Sequence, residues 1–471
     1  MPVSEIRSFL AAMWKSAAIL AMLCAMGSMT LSAQVFTKLV DFSQGTDPEP
    51  YEMQLMQDWQ GDFWGTSAAY YGTVFTMTTS GQLNTLYGFG IYGIGVYGGV
   101  LGTDGNYYGI TQTGGANGLG NIYKVTPAGA YTDLHDFDFS TGQYPIGPLL
   151  QAPDGYFYGA TLSGGSSTNC QQYGCGVLYK FKPAGDYSVL HNFEGIDGDA
   201  PFGGLILASD GKFYGTTTSG IGKASYGVVF SITAAGEMTV LYKFTEYGGG
   251  ATPWGNVVEG PDGNFYGTTA AGGINQAGMV YRITPQGQFT KLHFFRPLVD
   301  GQEPLSGLTL GTDGKFYGTS WANGNVSGCA PLCGTVYQIT ADGEFTNLHA
   351  FDGTDGSGLQ MPVTQHTNGK FYGAASFGGA NDWGTAYSID MGLGPFLKLQ
   401  NPFGTIGSKV FILGTGLTGT SAVTFNGVEA KFELHSDTFL TATVPVGTAT
   451  GPVKATTLNG VLVSSTYFHV K

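Results

Sequence analysis

Apolar and polar positions alternate along this chain in short runs that are punctuated by glycine. In one stretch the apolar run Gly204-Leu205-Ile206-Leu207 stops at Asp210-Gly211. Lys212-Phe213-Tyr214-Gly215-Thr216-Thr217 comes next, then Gly227-Val228-Val229-Phe230-Ser231-Ile232-Thr233, then Met238 to Phe244. A period of two puts every second side chain on one face, so four strands are predicted here. The first two are joined at Asp-Gly, read as a two-residue hairpin. Helix is poorly supported anywhere after the first 33 residues, and the reading is all-β.

The same pattern returns seven times. Its core is Asp104-Gly105-Asn106-Tyr107-Tyr108-Gly109, and it recurs from Asp154, Asp210, Asp262, Asp313 and Asn368, with a worn first copy at Gln60-Gly61-Asp62-Phe63-Trp64-Gly65. Between the first glycines of successive copies (61, 105, 155, 211, 263, 314, 369) the spacings are 44, 50, 56, 52, 51 and 55 residues. Repeats of this length, each with four strands, predict a seven-bladed β-propeller. A second element, L-x-x-F, ends the fourth strand at Leu86, Leu134, Leu190, Leu241, Leu292 and Leu348. Its seventh copy, Leu39 to Phe42, precedes the first motif, and none follows the last motif. The N-terminal strand is therefore expected to complete the final blade, which leaves no exposed sheet edge. Tyr123, Tyr179, Phe230, Tyr281 and Tyr337 on the third strands are read as packing between blades.

On these residues the chain resembles the GloVer tandem-repeat proteins, a bacterial family of secreted proteins with variable (choice-of-anchor) surface attachment, over roughly residues 35–390. The resemblance implies location and repeat architecture, and carries no reaction or catalytic residues. Residues 396–471 differ. Gly414-Thr415-Gly416-Leu417 and Val423-Thr424-Phe425-Asn426-Gly427 are similar to IPT/TIG modules. That likeness implies an immunoglobulin-like sandwich serving as a spacer or interaction domain, and short alternating strands fit a sandwich independently. The expected organisation is a signal peptide at 1–33, a propeller at 34–392 and an IPT/TIG domain at 396–471.

Composition supports this picture. Glycine, 78 of 471 residues, supplies turns, while aromatics at 14% argue against disorder. Arg7 and Lys15, the apolar run Ser16 to Ala25 and the small residues Leu31-Ser32-Ala33 read as an export signal cleaved near Gln34. Cleavage removes two of 19 basic residues and one of 33 acidic ones, leaving 17 against 32, a net charge of −15. Such a surface excludes nucleic acid as a natural partner. No transmembrane segment is expected after cleavage. The protein is expected to be secreted or surface-displayed.

Four cysteines remain, Cys170 and Cys175 in repeat three and Cys329 and Cys333 in repeat six, each pair between a second and a third strand. Non-adjacent repeats cannot bring four thiolates to one zinc ion, so two local disulfides are expected. His135, His191, His293 and His349 flank the Leu of L-x-x-F on different blades and are read as structural. Loops from each fourth strand to the next first strand carry Asp47, Glu49, Asp138, Asp197, Asp199, Asp300, Glu303, Asp352 and Asp355. These acids are the candidate ligand-binding residues, on the face that also carries the cysteines. They are a weak signal for Ca²⁺, and no complete Ca²⁺ loop, other metal site or cofactor is expected. No linear catalytic motif occurs. The favoured reading is a non-enzymatic binding protein for an extracellular ligand, a glycan or a protein. The alternative is a carbohydrate-active hydrolase or lyase with acids near the propeller channel.

Overall fold

The computed structural model describes residues 34–43, 55–67, 72–90, 95–170, 173–220, 226–244, 249–324 and 333–471. The proposed signal segment, Asp47, Glu49 and Cys329 lie outside them. Among the described residues there is no α-helix, and the strands form nine sheets. Seven of these are four-stranded and blade-like, and we number them one to seven from Met56.

Sheet four is typical. Its strands Leu205–Leu207, Phe213–Thr217, Val228–Ile232 and Met238–Lys243 pair in chain order, all antiparallel. Sheet seven is the exception in connectivity. Thr364–Gln365, Phe371–Ala375 and Thr385–Asp390 take their fourth strand from Val35–Asp41, which runs antiparallel with Val35 opposite Asp390. The offset between the two repeated elements predicts this closure.

The D-G-x-F-Y-G motif joins neighbouring sheets as well as strands. Its second aromatic packs against the first aromatic of the next copy, stacked for Trp64 on Tyr107, Tyr214 on Phe265, Tyr266 on Phe316 and Tyr317 on Phe371, and tilted for Tyr108 on Phe157 and Tyr158 on Phe213. Tyr372 of sheet seven then meets Phe63 of sheet one at 4.7 Å, which closes a ring. Seven separate apolar cores lie between successive sheets, including one between seven and one. Burying one such side chain contributes about 1.5–3 kcal/mol, so the repetition of aromatics carries the fold.

The hairpin within the motif is not the two-residue type expected. Ala208 N donates to Lys212 O and Gly211 N donates to Ala208 O, so three residues form the loop. Only Gly211 has positive φ (82°). A two-residue type I′ turn would force Asp210 there too, whereas here its carboxylate accepts from Lys212 N at 3.0 Å and holds the tighter right-handed turn.

The C-terminal stretch forms two sheets. One contains Lys398–Leu399, Lys409–Leu413, Phe439–Thr443 and Phe432–Leu434, the other Phe403–Gly404, Gly460–Val470, Gly451–Thr457, Ala422–Phe425 and Val428–Ala430. They enclose one core that includes Ile412, Val423, Phe425, Leu440 and Val453. This unit sits on the Asp-Gly hairpin face of the ring. Trp59 lies parallel to Phe439 at 4.6 Å and its Nε1 donates to Gln400 Oε1 at 3.1 Å. Thr438 Oγ1 donates to Trp59 O at 2.7 Å, and Gln400 Nε2 donates to Leu101 O at 2.8 Å.

Candidate functional site

Each residue of the repeated motif has a structural task, and this removes it from the search for a site. The Asp carboxylate takes both the turn N–H and the hydroxyl of the Tyr four residues on, as between Asp210 and Tyr214 (2.8 Å), Asp154 and Tyr158 (2.7 Å), and Asp313 and Tyr317 (2.9 Å). Asn368 holds the same two groups with one bond reversed: its Oδ1 accepts from Lys370 N, and its Nδ2 donates to the Tyr372 hydroxyl at 2.9 Å. The second glycine leaves room for a third-strand ring: a Cβ on Gly267 would lie 2.5 Å from the Tyr281 hydroxyl oxygen. The Thr after it donates to a carbonyl of the next sheet, Thr268 to Ser306 O at 2.7 Å and Thr216 to Gly255 O at 3.1 Å.

The opposite face carries the loops. The Cys170–Cys175 disulfide forms there, and Cys333 is disulfide-bonded with its partner outside the described residues. Asp199 lies beside the first disulfide, so the acidic and cysteine loops converge. Sulfurs joined to each other offer no thiolate, and this trio does not make a metal centre.

The candidate acids are largely occupied by neighbours. Asp138 caps its own turn, accepting from Ser140 and Thr141, and these bonds hold its carboxyl below the usual range. Asp197 turns back to His191 at 2.8 Å; burial raises its pKa, but the bonds from His191 and Glu194 N outweigh that and lower it. Asp300 is buried and held by Arg296 and by His293 at 3.3 Å; burial again opposes, and the hydrogen bonds prevail. Asp352 caps Thr354, and Asp355 lies 2.6 Å from His349 Nε2. Asp199 and Glu303 stand apart, since burial raises both carboxyls. The histidines also bind sheets together: the rings of His135, His293 and His349 stack on Tyr187, Phe345 and Phe36 of the next sheet at 3.7–4.0 Å.

On this side a cavity of about 250 Å³ opens among the innermost strands of sheets two to seven. Tyr97, Ile146, Phe202, Trp254, Leu305 and Met361 form much of its wall. No Asp, Glu, His, Cys, Lys or Arg is among its described lining residues. A repeated backbone device aims these side chains. Tyr144, Ala200, Thr252 and Glu303 take positive φ (53–55°), and each is followed by a proline: Pro145, Pro201, Pro253, Pro304. Left-handed backbone costs a non-glycine residue of order 1–3 kcal/mol, yet each N–H is anchored by the preceding sheet, as Thr252 N is by Tyr226 O at 2.9 Å. The residues immediately after these prolines are Ile146, Phe202, Trp254 and Leu305, all in the cavity wall. The acid-centred reading of the sequence does not reach them. Their signal is a register eight residues before the motif's Asp, where the otherwise regular repeats disagree.

With this geometry in view, the family model for the Gloeobacter/Verrucomicrobia repeat matches residues 25–220 and 166–356. The chain belongs to that family. The match spans the repeats that build sheets one to six, and the repeat's constant residues are those that stack, cap and clasp neighbouring sheets. No curated protein matches this repeat protein. Among solved structures it is similar to a fungal alcohol oxidase of the AA5 family in complex with copper (12% identity, 93% of this chain and 100% of that one, TM-score 0.49). It is also similar to a luciferin-regenerating enzyme (12%, 62% and 89%, 0.41) and a gluconolactonase from Xanthomonas campestris (10%, 76% and 90%, 0.40). At such identities and TM-scores none of them guides the chemistry of this repeat protein.

Proposed function

We propose that this protein is a secreted or surface-displayed binding protein. In this reading the seven sheets are the blades of a seven-bladed β-propeller, and residues 396–471 are an immunoglobulin-like module of the IPT/TIG kind that holds the ring from its hairpin face. The ligand engages the loop face. The observation that carries the reading is the cavity at the centre of that face, whose wall is mostly apolar and, among its described residues, has no Asp, Glu, His, Cys, Lys or Arg to serve as a general base or to hold a metal. Around it Phe139, Tyr173, Ile196, Ile274, Leu298 and Val299 are exposed on the loops, Ile274 at 74% and Ile196 at 63%. Their loops stand on a rigid scaffold, where binding residues concentrate.

The test is an array of extracellular glycans and peptides, probed with and without chelator and repeated with Ile196→Ser/Ile274→Ser and with Asp199→Ala/Glu303→Ala. Binding that survives chelation and weakens at least tenfold in either double variant is expected. Turnover of an arrayed glycan, or binding indifferent to both variants, would overturn the proposal.

A further inference from the structure

The register after the proline is where the repeats stop resembling one another. Counting eight residues back from the motif's Asp or Asn gives Ile146, Phe202, Trp254, Leu305 and Gln360; the second repeat, one residue shorter here, supplies Tyr97, and the worn first copy counts back from Gln60 to Glu52, which lies outside the described residues. The six described ones all line the cavity. Positions that pack sheet against sheet repeat because the same shape must be filled each time. This position borders the hollow, with Ile146 buried and the other five partly exposed, and at the exposed ones solvation favours a small polar side chain. Five of the six are nevertheless large and apolar or aromatic, which places apolar surface around a hollow at a cost in free energy.

The wall is stiff. Phe202 and Trp254 pack at 4.5 Å with their planes tilted by 35°. Between them the inner strands come into backbone contact at glycines. A Cβ on Gly203 would meet Asn256 N at 2.8 Å, one on Gly147 would meet Phe202 O at 2.6 Å, and one on Gly255 would strike Gly307 N. The left-handed residue before each proline is hydrogen-bonded to the preceding sheet. The hollow is therefore preorganised, and a ligand need not order it.

We infer that this cavity receives a neutral, flat hydrophobic ring, and that the post-proline register selects which ring. The claim deepens the binding reading above and rests on it. A carboxylate or an ammonium group entering this wall would lose its hydration and meet no opposite charge among the described lining residues. An apolar cavity of 150 Å³ holds benzene, so about 250 Å³ suits one or two fused rings. The ring could be supplied by a free small molecule or by an aromatic side chain on a protein, and the recognition chemistry is the same.

The experiment titrates the full chain with N-phenyl-1-naphthylamine, a neutral dye that brightens in apolar sites, and follows Trp fluorescence in parallel. Competitors are 1-naphthalenemethanol, 1-naphthoate, 1-naphthylmethylammonium and a tryptophan-containing tripeptide amide. The neutral alcohol should compete at a concentration at least tenfold lower than either charged isostere. Trp254→Ala and Phe202→Ala should each weaken the dye at least tenfold, and Leu305→Trp, which fills the hollow without removing its apolar character, should do the same. Tighter competition by the tripeptide would support the inference and identify the ring as one carried on a protein. Equal competition by a charged isostere, or dye binding unchanged in all three variants, would overturn it. Loss of ring binding with the array signal intact overturns this inference alone, whereas an empty array with intact ring binding overturns only the broader proposal.

Discussion

The two faces of the ring are built by opposite rules. On the hairpin face the copies are nearly interchangeable: in six of the seven an Asp or Asn closes a turn and is hydrogen-bonded to a Tyr hydroxyl, and Trp59 and Thr367 from these turns contribute to the seat of the C-terminal unit. On the loop face the chain spends positive φ on Tyr144, Ala200, Thr252 and Glu303, and then places a different side chain after each proline. Where each sheet must meet an identical neighbour, variation is destabilising. Where the strands border a hollow, it is tolerated and can be put to use. Repetition here marks scaffold, and its failure marks the site.

The largest expected effect sets the two faces against each other in stability. Tyr281 is fully buried between sheets four and five, and Tyr281→Ala should cost about 3–5 kcal/mol in denaturant unfolding. Trp254→Ala, in the cavity wall, should cost about 1 kcal/mol. Similar losses would erase the distinction between packing ring and site ring.

A smaller effect sharpens the hairpin side through pH. His366 is buried in the turn of sheet seven, where Nε2 lies 3.0 Å from Gly61 O and Nδ1 accepts from Asn368 N. Burial lowers its pKa to about 4 from the ordinary 6.5. The folded state thus refuses a proton that the unfolded chain accepts below pH 6.5. The resulting stability is whole above that pH and declines as pH falls toward 4, by about 3 kcal/mol. Urea unfolding at pH 7 and pH 4 should show the native chain losing about that much more than His366→Gln. Equal losses would remove His366 from the account of this face.

The smallest effect asks whether the copies are interchangeable. Asn368 already does the work of the motif's Asp, so Asp210→Asn should change stability by less than about 0.5 kcal/mol. Asp210→Leu, which leaves the turn N–H and the Tyr214 hydroxyl without their acceptor, should cost about 1–2 kcal/mol. Thermal unfolding separates the two.

Most of the ring was legible because the constraints that build it recur. Phe213 and Tyr214 look like Phe265 and Tyr266 since each pair fills the same gap, and the displaced L-x-x-F copy at Leu39 betrays the closing strand. The hairpin type was missed because Asp-Gly serves both a type I′ turn and a type I turn with a left-handed glycine. The bonds joining Ala208 to Lys212 and Gly211 N to Ala208 O, with positive φ at Gly211 and not at Asp210, separate them. The acids drew attention because one-dimensional spacing does not show that Asp197 folds back on His191, or that Asp300 is committed to Arg296. Trp254 and Phe202 escaped notice for the opposite reason. An aromatic residue in an aromatic-rich chain reads as core until the proline before it and the strained residue before that show where it points.

One comparison separates scaffold from site: the neutral dye titrated side by side into the native chain, Asp210→Asn and Trp254→Ala. Binding should be the same in the native chain and Asp210→Asn, and at least tenfold weaker in Trp254→Ala, with all three folded by thermal unfolding. Dye binding that weakens in Asp210→Asn and persists in Trp254→Ala would contradict that separation, and would return the function to the repeated motif.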